Sequence, residues 1–137
     1  MDFNPLRVMH IVAPARLGGV ETVIQELAAG HRSLGHEISV AAVLDPDGDR
    51  DHPFIEALHS EGVPVFPLLI GRRSYLAERR AVAGLLVEKR IAIVHTHGHR
   101  PDVVDLPLAR RLGLASVATV HGFIGSGLKG KLNEWLQ

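Results

Sequence analysis

Three short segments carry residue types and spacings that could do chemistry. In Leu17-Gly18-Gly19-Val20-Glu21, two glycines stand where the chain turns helical. Glycine lets a backbone approach a ligand closely, and a helix start offers free N–H groups and a partial positive charge. A phosphate or a sugar hydroxyl would suit such a turn. The plainer alternative is that any tight strand-to-helix turn favours glycine. No G-x-G-x-x-G is present and no G-K-[ST] follows, so neither the dinucleotide fingerprint nor a P-loop is at hand. In Val94-His95-Thr96-His97-Gly98-His99-Arg100-Pro101-Asp102, three histidines alternate, and an extended chain would put them on one side. Metal ligation has to be weighed, because histidine is the commonest transition-metal ligand. The metallo-β-lactamase-like pattern H-x-H-x-D-H nevertheless fails, with His99 where Asp belongs and Arg100 where His belongs. A polar, ligand-facing loop without metal is the favoured reading, and solvated or capping histidines are the alternative. In Thr119-Val120-His121-Gly122-Phe123, a histidine at a strand's carboxyl end is released at once by glycine. It is well placed to meet a substrate; a core-edge histidine bonded to backbone is the competing reading.

Two other patterns carry less. Asp45, Asp47, Asp49, Asp51 and Glu56 take the ligand positions of an EF-hand loop, but its glycine position is Arg50 and a strand precedes it. A solvated acidic loop is the better reading. Arg72, Arg73, Arg79 and Arg80 cluster near the start of a helix that ends in Lys89 and Arg90. Contact with anionic lipid headgroups is open to them, although a solvated helix face explains them as well.

These segments need elements to hold them. Arg7 to Ala13 is a short apolar run between Pro5 and Pro14, as in a buried strand. From Val20 the period changes: Val20, Val23, Ile24, Leu27, Ala28, His31 and Leu34 share one helical face, and Gly35 supplies the stop. The same grammar predicts strands at Glu37–Leu44, Val63–Leu69, Ile91–Val94 and Ala115–Val120. Helices are predicted at Pro53–Ser60, from a Ser74 cap to about Arg90, and at Asp102–Leu112. In the long helix Leu76, Val82, Leu85 and Leu86 are expected near one side. Strands alternating with helices mean a parallel sheet with right-handed crossovers. The expected fold is therefore α/β: a three-layer, doubly wound, Rossmann-like domain with at least five strands. In such sheets ligands bind beyond the carboxyl ends of strands, near the point where strand order reverses. The three segments above fall at such ends.

Composition sets bounds on function. The 137 residues are 46% hydrophobic, enough for one compact domain with a core. Fifteen basic and fifteen acidic residues cancel, which argues against a nucleic-acid binder with a basic footprint. There is no cysteine, hence no disulfide, zinc-thiolate site or thiol nucleophile. Met1 to Ala15 does not read as a signal peptide, and no apolar stretch approaches the roughly 20 residues of a membrane span. The expected setting is cytoplasmic, with peripheral contact at the inner face of a membrane left open. Near the end, Leu132, Trp135 and Leu136 of an amphipathic segment need cover, from their own sheet or from another domain.

Together these segments resemble glycosyltransferase family 4. The stretch Gly18 to Val40, with its glycine pair and Leu34-Gly35-His36, is similar to the family's opening. Ile93-Val-His-Thr-His97 resembles its fourth-strand segment, and Thr119-Val-His-Gly-Phe123 its His-Gly after the fifth strand. The resemblance covers about Arg7 to Gly125 and implies the two-domain GT-B architecture, in which two Rossmann-like halves face each other across a cleft. It implies that this chain is the N-terminal, acceptor-side half of a retaining enzyme. Its co-substrates would be a nucleotide-sugar donor and a sugar or lipid-linked acceptor, with no other cofactor. By similarity Gly18 and Gly19 would bring backbone N–H groups to donor phosphates or acceptor. His121 would contact the transferred sugar or acceptor as the catalytic residue, with Gly122 beside it in substrate binding, and His97 would line the cleft. The family's donor half carries two glutamates separated by seven residues; no two glutamates here have that spacing, and no second α/β unit is seen. The expectation is a single domain over 1–137 without the donor-binding half, inactive alone because leaving-group stabilisation would be missing. A non-catalytic α/β module for a phosphorylated ligand or partner protein is the alternative, as is a fragment of a GT-B nucleotide-sugar epimerase.

Overall fold

The computed structural model describes residues 3–14, 18–48 and 51–120. Five strands form one wholly parallel sheet: β1 (Arg7–Val12), β2 (Glu37–Leu44), β3 (Val65–Leu69), β4 (Ile93–His97) and β5 (Ala115–Thr119), in the order β3-β2-β1-β4-β5. Five helices connect them: α1 (Gly19–Ser33), α2 (Pro53–Ser60), α3 (Tyr75–Glu88), α4 (His99–Val104) and α5 (Leu106–Arg111). This is the doubly wound three-layer domain expected of the alternating pattern.

Strand alternation sorts the side chains into two cores. Val8, Val12, Val40 and Ala42 face α1 and α2, meeting Ile24, Ala28, Phe54 and Leu58. Met9, Ile11, Ala41 and Val94 face the opposite way, meeting Val82 and Leu86 of α3 and Ala109 of α5. The central strands are buried on both faces because both are covered, as in other parallel sheets. Gly35, at φ +90°, ends α1 in the left-handed conformation that its type suggested.

Four details differ from the sequence reading, each for a physical reason. β4 spans Ile93–His97 rather than Ile91–Val94: the Ile91 N–H still closes α3 onto the Leu86 carbonyl, and the Ala92 N–H reaches the Arg7 carbonyl. His95 and His97 therefore belong to the sheet, not to a loop. β3 likewise begins at Val65, because the Val63 N–H is used by the Leu58 carbonyl at the end of α2. The predicted helix over 102–112 starts earlier, at His99, and breaks at Asp105, since Pro107 cannot donate to the carbonyl four residues back. On α3 the side predicted to hold Leu76 turns outward, and Leu76 is exposed while Glu78 is buried. Among the described residues no helix is long and apolar enough to cross a membrane.

Candidate functional site

Strand order reverses between β1 and β4. Val12 pairs with His97, so the two strand tips lie side by side. From one tip the chain leads to α1 on the first face; from the other it enters α4, which packs with α3 on the second. At such a point the connections diverge to opposite faces, which is where open parallel sheets form a ligand crevice at the carboxyl edge.

The two glycines at the α1 start turn out to do different things. Gly18 is the N-cap in an extended conformation that any residue could adopt, and no side chain caps the helix. A Cβ there would stand 2.9 Å from a carboxylate oxygen of Glu21, which is itself buried in the first helical turn. Gly18 thus makes room for Glu21. At Gly19, the first residue of α1, an added Cβ would meet nothing within 4 Å. Among the described residues a side chain at Gly19 would therefore have open space, and the N–H groups of a first helical turn have no partner within the helix. Across the crevice, Gly98 takes φ +92°, a left-handed turn that swings the chain from β4 directly into α4.

Beneath the crevice lies a cluster of imidazoles. His10 of β1 and His95 and His97 of β4 share the face that carries α1, and all three are buried. His10 Nδ1 and His97 Nε2 are 2.8 Å apart, one donating to the other, and His95 Nε2 is 2.5 Å from Thr119 Oγ1 on β5. The His95 and His97 rings stack at 4.2 Å, and His31 of α1 lies parallel to His10 at 6.4 Å. Burial, and then the neighbouring His95 and His31, push the His10 pKa down from 6.5 to about 3. At neutral pH it is an uncharged imidazole.

His10, His95 and His97 each offer a ring nitrogen, and these lie within 4.8 Å of one another. Two imidazole nitrogens on one tetrahedral ion with bonds of about 2.0–2.1 Å would sit roughly 3.3 Å apart. The 2.8 Å His10–His97 contact is tighter, and is a hydrogen bond. As placed, His10 Nδ1 and His97 Nε2 bond each other rather than frame an ion, while the buried His10 Nε2 has no hydrogen-bond partner. Of the alternating trio read from the sequence, His95 and His97 share a face, while exposed His99 begins α4.

On the same carboxyl edge a cavity of about 280 Å³ lies between the ends of β1, β2 and β3, lined by Ala13, Pro14, Asp45, His52, Arg72 and Arg100 among others. Arg100 organises its floor. Its Nε and Nη2 reach Glu78 Oε2 at 2.7 Å, and Nη1 and Nη2 donate to the carbonyls of Arg72 and Gly71 at 3.0 and 3.2 Å. Glu78 is fully buried, and so is Asp105. Neither Asp105 oxygen nor Glu78 Oε1 meets a donor when both acids are charged. Burial, then hydrogen bonding to Glu78 and its charge, push the Asp105 pKa up to about 8, against the pull of Arg100 and Arg79. One proton shared between the two acids resolves the conflict.

Sequence reading missed His10, Arg100 and the Glu78–Asp105 pair as positioned groups. For His10 a signal existed: alternation puts it on the face of Val8 and Val12, and doubly wound order makes β1 and β4 neighbours. His121 and Gly122, proposed from sequence as catalytic and substrate-binding, lie outside the described residues, as do Leu132, Trp135 and Leu136.

The family model for Glycosyltransferase Family 4 matches residues 17–137. The chain belongs to glycosyltransferase family 4. No curated protein matches it significantly. Among solved structures this family 4 domain is similar to a glycosyltransferase from Rickettsia africae at TM-score 0.70 and 19% identity, covering 96% of this chain and 34% of that one. MurG from Acinetobacter baumannii matches at TM-score 0.60 and 15% identity over 95% of this chain and 39% of its own. A putative UDP-N-acetylglucosamine 2-epimerase from Listeria monocytogenes matches at TM-score 0.66 and 13% identity over 88% and 32%. At such identities the likeness is one of fold. The chain spans between about a third and two fifths of the length of these structures.

Proposed function

We propose that this chain is the N-terminal, acceptor-side half of a retaining GT-B glycosyltransferase, completed by a donor-binding half. The observation that carries the reading is the first turn of α1, without a side-chain cap and with open space for a Cβ at Gly19, in the helix that follows β1 at the point where strand order reverses. In that position free N–H groups and the helix's positive end favour an anionic or hydroxylated ligand without any side-chain reorganisation. Gly18 contributes by admitting Glu21, and His97 by fixing the strand tip through His10. His121 is proposed to touch the transferred sugar or acceptor, with Gly122 leaving it space. The co-substrates are a nucleotide-sugar donor and a sugar or lipid-linked acceptor, in a cytoplasmic setting that allows peripheral contact with the inner membrane face.

The test is a transfer assay with labelled nucleotide-sugars, run on the 137-residue chain and on a polypeptide carrying a donor-binding half as well. The chain alone is expected to give no turnover, because most of the leaving diphosphate's stabilisation is proposed to come from the donor-binding half. In the longer polypeptide Gly19→Val is expected to cut kcat/KM roughly 100-fold, since a branched side chain would fill the approach to the first turn. Its melting temperature should stay within a degree or two, given the open space at that Cβ. Unchanged kcat/KM would remove the site from the mechanism. His121→Ala should likewise lower turnover without loss of stability; normal activity per folded molecule would make that residue structural. Resemblance to an epimerase fold supports a second reading, and product analysis separates it: an isomerised donor with no transferred sugar favours epimerisation.

A further inference from the structure

Three buried imidazoles meet where β1 and β4 run side by side. His10 of β1 is in register with His95 of β4, and His97 follows two residues on, on the same face. None of the three is more than 9% exposed. The His10 ring lies 4.9 Å from that of His95 and 5.1 Å from that of His97. One ring nitrogen from each falls within 4.8 Å of the other two. Their neighbours on the same face of β1 are Val8 and Val12, which offer no hydrogen bonds. Two buried ring nitrogens find no hydrogen-bond partner among the described residues. They are His10 Nε2 and, on the α1 ring that lies parallel to His10, His31 Nδ1. Folded cores leave few such atoms, and each calls for a reason.

Metal ligation suits this group better than the trio read from the sequence, because the fold replaces exposed His99 with buried His10. Imidazole is a ligand for zinc and its transition-metal neighbours, whereas magnesium and calcium take oxygen ligands. Nitrogens on one tetrahedral ion would stand about 3.3 Å apart. The 2.8 Å His10–His97 pair has to open by about 0.5 Å, and the widest separation has to close by at most about 1.5 Å. The χ2 torsion of histidine is broad, so turning the rings can supply both adjustments. Coordination through His10 Nδ1 and His97 Nε2 sends the hydrogen between them to the other nitrogen of whichever ring carries it. The ligands stay neutral and no proton is lost. We propose that His10, His95 and His97 bind one divalent transition ion of the zinc class, which ties β1 to β4 beneath the crevice. Its part is structural, since the ligands are enclosed on the sheet face that α1 covers. The inference does not depend on the transferase reading.

The test is metal uptake by the 137-residue chain after chelator treatment, with Zn²⁺ and, for its visible spectrum, Co²⁺. About one ion per chain should bind, with the absorption of a tetrahedral cobalt site. Saturating metal should raise the melting temperature by roughly 5–10 °C. Long-range ¹H–¹⁵N spectra should show the ring nitrogens of His10, His95 and His97 shifting together. His10→Gln and His97→Gln should each weaken binding at least tenfold, while His99→Gln should leave it unchanged. The ring shifts of the parent chain decide the matter even where a substitution prevents folding. No uptake, shifts confined to exposed rings such as His59 and His99, or loss of binding in His99→Gln would each overturn the proposal. Undiminished binding by folded His10→Gln would do the same.

Discussion

Arg100→Ala is expected to destabilise the domain by about 3–5 kcal/mol at pH 7, which lowers its melting temperature by roughly 10 °C. The guanidinium is the counter-ion of the buried Glu78 carboxylate, and it ties the carbonyls of Gly71 and Arg72 to the head of α4. Truncation would leave a charged acid, fully enclosed, without its counter-ion. The corner joining the end of β3 to α3 would lose its anchor on the β4–α4 turn. Arg100→Lys should recover only part of the loss, because a single ammonium cannot serve a carboxylate and two carbonyls in a fixed fork. A double-mutant cycle separates this account from lost packing. In a Glu78→Gln background the buried charge is gone, so Arg100→Ala should cost markedly less there. Urea midpoints of the four proteins would decide it; an equal cost in both backgrounds would assign the effect to packing.

What the sequence made legible follows from which forces are local. Strands β2 and β5 and helices α1 and α2 were readable to within a residue or so, because apolar period, glycine stops and Pro53 act over neighbouring residues. The layering followed from alternation alone. The break at Asp105 was missed although Pro107 announced it, because the apolar spacing through Leu106, Leu108 and Leu112 reads as one continuous helix. The outward turn of Leu76 was not readable. Its cause is Arg100, 22 residues on from Glu78, which makes burial of that acid possible. Candidate site residues followed the same division. The glycine turn and the β4 histidines carry local marks, whereas the His10–His97 bond spans 87 residues and exists only once β1 and β4 are side by side. A sequence states which strands exist; their adjacency is settled by packing, and the crevice is made of adjacencies.

Adjacency also sets an expected pH profile with an unusual shape. Stability should be level between about pH 4 and 6.5 and then fall by about 2 kcal/mol on going to pH 8. His10 titrates near 6.5 when unfolded but near 3 in the sheet, so below 6.5 the unfolded chain holds one more proton. That difference costs stability as pH falls from 6.5 towards 3. Asp105 works the other way: it loses its proton near 3.8 unfolded but near 8 beside Glu78. The folded chain then holds the extra proton, and stability is lost as pH rises through that window. Each one-proton difference is worth about 1.4 kcal/mol per pH unit, and between 3.8 and 6.5 the two slopes cancel. Above 6.5 only the acid's slope survives. Substitution should unmask each limb in turn. Asp105→Asn, which keeps a donor towards Glu78, should show stability rising up to about pH 6.5 and level beyond it. His10→Gln, which keeps a hydrogen bond towards His97, should show stability falling steadily from about pH 4 to 8. Urea denaturation of the parent and both variants from pH 4.5 to 8.5 checks all three curves. If the variants' curves run parallel to the parent's, the protons are taken up elsewhere, and neither buried layer is the titrating element that its burial implies.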